Sequence, residues 1–364
     1  MRLALAVGMV LLASCSLGGG SRDGETGIPD IPSLPDNGTE TTPFEEAPET
    51  SVTDSGTFDP GPQPSPVVDP NCIDGRCTEP LPLPGADLSG PIASFDKNAW
   101  QAFVDSALAT RYPVGGYIVT QALQKGAIKN CTAQFLDDKN SAKAILLGLS
   151  TAVHECGHSL DMGLGGYGEA AFVMTPDVRF TCKGGANQGN GGKTFSRSLI
   201  RDDAYSQALP PCAAFGTGGH CDDYAAIYLD GDPTDGKFDS GDQGYDSVLD
   251  EVTQYINSLA TGYAFEDQYP YMVSERDGIL TFLWYLERYL HLARTAHPEV
   301  YALLADDACW RGVTLSLWGR AWLFLGLTEK SGKLGINDGE LEDLVLEPDL
   351  VAEIEALRAK EGCD

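Results

Sequence analysis

In one short stretch, His154-Glu155-Cys156-Gly157-His158, residue types and spacing converge on a recognisable chemistry. Two histidines four residues apart lie on one face of a helix, so both imidazoles can reach a single metal ion. Histidine nitrogen suits zinc, and a catalytic zinc keeps one position open for water. Glu155 sits one step round the helix from His154, close enough to take that water's proton. A metal that brings the water's pKa to about 7 lets a carboxylate serve as its base. The chain has five histidines and places two of them here. Apart from Glu155, no charge lies between Thr151 and Leu160, as befits a helix packed behind a metal.

The stretch matches the HExxH pattern. With Thr151-Ala152-Val153 before it and Ser159-Leu160 after it, it resembles the extended signature of the zincin metallopeptidases. The resemblance implies zinc-dependent hydrolysis of a peptide bond, with His154 and His158 as ligands and Glu155 as general base. The metzincin branch carries a glycine three residues and a histidine six residues after the second histidine. Asp161 and Leu164 stand there, which excludes that branch. The gluzincin-like branch takes a glutamate from a later helix, and Glu251 is the candidate. It opens a helix whose apolar positions (Val248, Leu249, Val252, Ile256, Leu259) would turn it inward. A core-facing carboxylate is costly unless it binds something; the other reading is a helix-start carboxylate favoured by the dipole. Gluzincins carry an aspartate four residues after that glutamate, whereas this chain has Tyr255. Asp161, Glu169 and His220 are the reserve ligands. Tyr255, Tyr263 and His291 are candidates to steady a developing oxyanion, but core packing is the stronger reading for each.

The elements that must position these residues read as mostly helical. Lys97 to Thr110 is amphipathic. Asn140-Ser141 can cap a helix running through the motif to Leu160 and stopping at Gly163-Leu164-Gly165-Gly166. Ala171 to Thr181 is the best candidate for a strand pair. Gly244–Thr261, Ser274–Thr295, a segment with Trp310, Trp318 and Trp322, and Pro348–Lys360 read as further helices. The class is mainly α with a small β component, arranged as a single zincin-like domain over residues 95–364.

Asp230, Asp232, Asp235, Asp239, Asp242 and Asp246 crowd a glycine-containing loop before the Glu251 helix. Oxygen-rich loops suit Ca2+, but the spacing misses the EF-hand register, so a calcium site and a solvated acidic loop stand level.

Residues 1–14 have the anatomy of a secretory signal: Arg2, a short apolar run, then small residues. Leu12-Ala13-Ser14-Cys15 resembles the bacterial lipobox, which implies cleavage before Cys15, its acylation and attachment to a membrane. No aspartate follows Cys15, which by analogy favours an outer membrane or cell surface. Residues 15–94 hold 14 acidic residues against Arg22 and Arg76, with much Pro, Gly, Ser and Thr. That composition cannot bury enough apolar surface to offset ordering, so it reads as a disordered tether. The whole chain has a net charge of −29, which argues against nucleic acid as a partner; a peptide or protein substrate is what the zincin resemblance implies.

Ten cysteines in a secreted chain indicate disulfides. With Cys15 acylated, Cys72–Cys77 and Cys212–Cys221 are expected as local pairs. Cys131, Cys182, Cys309 and Cys363 could form two more bridges, leaving Cys156 as a small buried hydrophobe. Two functions follow, from different classes: peptide-bond hydrolysis outside the cytoplasm, or a zincin-like surface lipoprotein that binds without cleaving. The intact Glu155 favours the first.

Overall fold

Apolar residues recurring at three- and four-residue spacing make helix the dominant element. The computed structural model describes residues 67–77, 79–166, 168–184, 228 and 244–363, within a unit that begins at Ser65. In chain order the helices are α1 (Ser89–Ala93), α2 (Trp100–Arg111), α3 (Pro113–Lys125), α4 (Cys131–Phe135) and α5 (Ala142–Leu164). A hairpin of β1 (Glu169–Val173) and β2 (Arg179–Lys183) follows. Then come α6 (Tyr245–Ala264), α7 (Glu275–Ala296), α8 (Pro298–Ala305), α9 (Ala308–Leu327), α10 (Asp338–Val345) and α11 (Pro348–Glu361). The two strands pair antiparallel, with Phe172 opposite Phe180. The chain is thus mainly α with a small β component. Among the described residues no helix is long and apolar enough to cross a membrane.

Two helices frame everything that matters for the candidate site. The hydroxyl of Ser141 caps α5 by accepting the Ala144 N–H at 3.1 Å, so one of the orphan donors at the helix start is satisfied. The helix runs through the histidine motif and stops at Gly165, whose N–H bonds the Asp161 carbonyl. It packs against α3, α4, β1 and, most extensively, α6. Helix α6 in turn lies between α5 and α7. Its residues Val248, Leu249, Val252, Ile256 and Leu259 are fully buried, as their spacing predicts. At about 1.5–3 kcal/mol for each large apolar side chain, this seam can absorb the cost of the polar groups carried beside it.

Glycine sets how closely these helices approach. A Cβ at Gly157 would stand 1.7 Å from Oε1 of Gln254 on α6. One at Gly278 on α7 would run into the Tyr255 ring at 2.1 Å.

The disulfides differ from the expected local pairs. Cys72 bonds Cys363, not Cys77. A single 3-10 turn, Asp74–Arg76, lays the 67–77 segment against α9. There Asp74 is buried against the Arg358 guanidinium, which brings Cys72 to the C-terminal cysteine. Cys156 is not a lone buried thiol but bonds Cys131, because its side of α5 faces the start of α4. Cys182–Cys309, drawn from the expected set of four, ties β2 to α9. Cys77 is the free thiol among the described residues. Cys212 and Cys221 lie outside the described residues.

The stretch 67–94, which composition assigns to the tether, packs on the helices where it is described. Val67, Cys72 and Leu88 are buried, the Trp318 indole donates to the Val67 carbonyl at 2.7 Å, and Glu79 pairs with Arg320 at 2.5 Å. Removing one partner of a buried pair of this kind costs about 3–5 kcal/mol, because the other charge is stranded. Acidic residues that look like solvated tether are here the counter-ions of α9 and α11.

Candidate metal centre

Helical geometry puts His154 and His158 one turn apart on α5, and the α5–α6 crossing brings Glu251 up against them. His154 and His158 face each other through Nε2 at 3.0 Å. Oε2 of Glu251 lies 3.5 Å from each of those nitrogens. All three residues are buried, and their ligand atoms form the one His/Cys/Asp/Glu group among the described residues gathered tightly enough to hold a metal ion.

The donor set fits a small divalent cation. Bonds of about 2.0–2.1 Å in a tetrahedral shell place neighbouring donors about 3.3 Å apart, and the three observed separations bracket that value. Two imidazoles and one carboxylate are also a ligand set that leaves a fourth position open. Three facing electron-rich atoms repel one another unless a proton or a cation lies between them, so the cluster is built around positive charge.

The surroundings favour the same state. Nδ1 of His158 donates to Oδ2 of Asp250 at 2.8 Å, which fixes the ring and turns Nε2 toward the cluster. Burial opposes charge on His158, but Asp250 and Glu251 outweigh it and hold the ring well above the ordinary histidine range. Burial likewise opposes ionisation of Glu251, yet His158 and the hydrogen bonds from both histidines hold its carboxyl below the usual carboxylate range. The Tyr228 hydroxyl donates to Oε1 of Glu251, which leaves Oε2 for the histidines. Burial and the neighbouring Glu251 charge push that phenol well above its usual range, so it stays a donor. His154 is held differently, edge-on against the Tyr255 ring with centroids 4.7 Å apart. Tyr255 in turn stacks on Phe282 at 5.2 Å.

Glu155 is half-buried and makes no hydrogen bond or ion pair among the described residues. Its position one step from His154 keeps it beside the cluster without joining it.

The reserve ligands lie elsewhere. Asp161 is buried, but its oxygens take the Val173 N–H and the Gln254 amide. Burial and the Asp250 charge raise its pKa well above the ordinary range, with the Val173 N–H offsetting only part. Glu169 stands at the start of β1, opposite Lys183, and His220 lies outside the described residues. His291 bonds Glu353 at 2.8 Å on α11, and Tyr263 packs against the core; neither belongs to the cluster. Of the aspartates considered for calcium, Asp246 occupies the first turn of α6, and Asp230 to Asp242 fall outside the described residues.

Three residues around the site escape sequence reasoning. Asp250 could be suspected from its place beside Glu251, whereas Tyr228 and Gln254 carry no signal without the fold. No family model, curated protein or solved structure gives a significant match to the chain, so the cluster stands on its own geometry.

Proposed function

We propose that this chain is a zinc-dependent, zincin-like peptidase, gluzincin-like in drawing its third ligand from a later helix. Its zinc ligands are His154, His158 and Glu251, and its general base is Glu155. The observation that carries this reading is the convergence of the two α5 imidazoles with the α6 carboxylate at 3.0–3.5 Å, with Glu155 set between the histidines in sequence. When bound, zinc supplies a Lewis acid that polarises a carbonyl and makes a coordinated water acidic near neutral pH. The protein's part is positional. Asp250 and Tyr228 orient two of the ligands, and the disulfide at Cys156 braces the motif helix. Glu155 then accepts a proton from the attacking water and delivers it to the departing amine. Burial of the cluster lowers the local dielectric and strengthens each of these interactions.

Purified full-length chain in its oxidised form should carry about one zinc ion and cleave members of a broad peptide pool. A chelator should stop cleavage, and added zinc should restore it. If the chain takes up no zinc at neutral pH, the centre is not a zinc site. If it holds zinc yet cleaves nothing across peptide and protein pools, the non-cleaving surface lipoprotein becomes the better reading.

The signal sequence and the Leu12-to-Cys15 tetrad support a lipid anchor at Cys15, with the catalytic domain working outside the cytoplasm. Cys15→Ser should release the protein from the membrane fraction or leave its signal uncleaved. A variant that fractionates as wild type with the same N-terminus rules the anchor out.

A further inference from the structure

We infer that Asp250 is a positioning residue for His158, held in place by Gln254 and, through it, tied to Asp161 and strand β1; this rests on the metal-centre reading above. The geometry forms one connected path. Nδ1–H of His158 donates to Oδ2 of Asp250 at 2.8 Å. Nε2 of Gln254 donates to Oδ1 of Asp250 at 3.2 Å and to Oδ2 of Asp161 at 2.8 Å. The Val173 N–H donates to the other Asp161 oxygen at 2.9 Å. Nδ2 of Asn257 donates to Oε1 of Gln254 at 2.9 Å, which fixes which end of the Gln254 amide is oxygen and which is nitrogen.

Gln254 is the residue type its neighbours require. Gln254 is fully buried, so a mismatched side chain there leaves polar atoms unpaired at about 1–3 kcal/mol each. A glutamate at 254 would place a third carboxylate between Asp161 and Asp250. An apolar residue there would leave both aspartates short of a donor. Gly157, inside the histidine motif, is explained by the same path. The Gln254 carboxamide fills the space where a side chain at 157 would stand, its oxygen only 1.7 Å from where a Cβ would be. The helix that carries the ligands therefore yields a side-chain position to the residue that steadies Asp250.

The arrangement differs from the family pattern noted in the sequence. There an aspartate four residues after the ligand glutamate orients a histidine. Here Tyr255 occupies that place and packs on His154, while the carboxylate immediately before Glu251 takes over His158.

The test uses the full-length oxidised chain. Zinc affinity is measured by chelator competition, and the Nδ1–H resonance of His158 in zinc-loaded protein reports whether that proton is held in a hydrogen bond. Asp250→Ala should weaken zinc binding about 10–100-fold and move the His158 Nδ1–H resonance upfield or broaden it through exchange with water. Asp250→Asn, with only an amide oxygen to offer, should fall in between. Gln254→Met should move both readouts in the direction of Asp250→Ala. A folded Asp250→Ala with zinc affinity within about twofold of wild type, far short of the outer-shell effect, and an unchanged His158 Nδ1–H resonance overturns the proposal. Should Asp250→Ala fail to fold, Asp250→Asn and Gln254→Met are held to the same criterion. A wild-type chain that binds no zinc overturns the metal centre itself, which is a different result from a zinc-loaded chain indifferent to Asp250.

Discussion

Replacing Glu155 with glutamine should leave zinc in place and lower peptide hydrolysis by about 10²–10⁴-fold, the usual contribution of a general base. The substitution keeps the size of the side chain and its capacity to hydrogen-bond, and removes only its ability to take a proton. Glu155 contributes no atom to the His154–His158–Glu251 cluster, so metal content has no reason to change. Its lack of ion-pair partners among the described residues means the variant strands no charge. Turnover on a peptide pool and metal content of the same sample decide the matter together. A variant that cleaves within a few-fold of wild type places the base elsewhere, and one that loses zinc makes Glu155 part of the metal shell.

Glu251→Ala should do the opposite and lose zinc and activity in one step. Glu251 is the only anionic ligand of the three, and its oxygen lies equally far from both imidazoles. Without it only Asp250, behind His158, remains to offset the charge the histidines enclose, and the Tyr228 hydroxyl loses its acceptor. The loss of affinity should exceed the about 10–100-fold typical of an outer-shell residue. Glu169→Gln is the paired control: Glu169 sits on the hairpin, outside the cluster, so its variant should keep full zinc occupancy. If Glu251→Ala stays fully occupied while Glu169→Gln does not, the ligand assignment is wrong.

The parts of this molecule legible in its sequence are those governed by short-range pattern. The motif helix can be bounded from Ser141 and the Gly163-to-Gly166 stop because caps and glycines act locally. Helix α6 and its inward-facing Glu251 can be read because five apolar residues share its stripe. Phe172, Val173, Val178 and Phe180 signal the hairpin. Less visible are α3, where Gly115-Gly116 lower the helix propensity just after Pro113, and the short α8 and α10, which owe their helicity to packing against their neighbours. The outer shell of the site is hidden for a different reason. Asp250, Gln254 and Asp161 look like ordinary polar residues until the α5–α6 crossing joins positions some ninety residues apart. Disulfide partners escape on the same ground: proximity in sequence favours Cys72–Cys77, while the fold brings Cys363 to Cys72 from a separation of 291 residues.

That long-range clasp also settles where a mechanical load would enter the molecule. A pull on the chain ahead of Val67 meets the Trp318 and Arg358 hydrogen bonds to the Val67 carbonyl, then the Cys72–Cys363 bond and the Asp74–Arg358 and Glu79–Arg320 pairs. These fastenings are on α9, on α11 or just beyond its end, and neither helix carries a ligand of the candidate centre. Tension is therefore taken up by covalent and ionic anchors before it can reach the crossing of α5 and α6. The close-set atoms of His154, His158 and Glu251 are shielded in this way from a load on the N-terminal side of Val67.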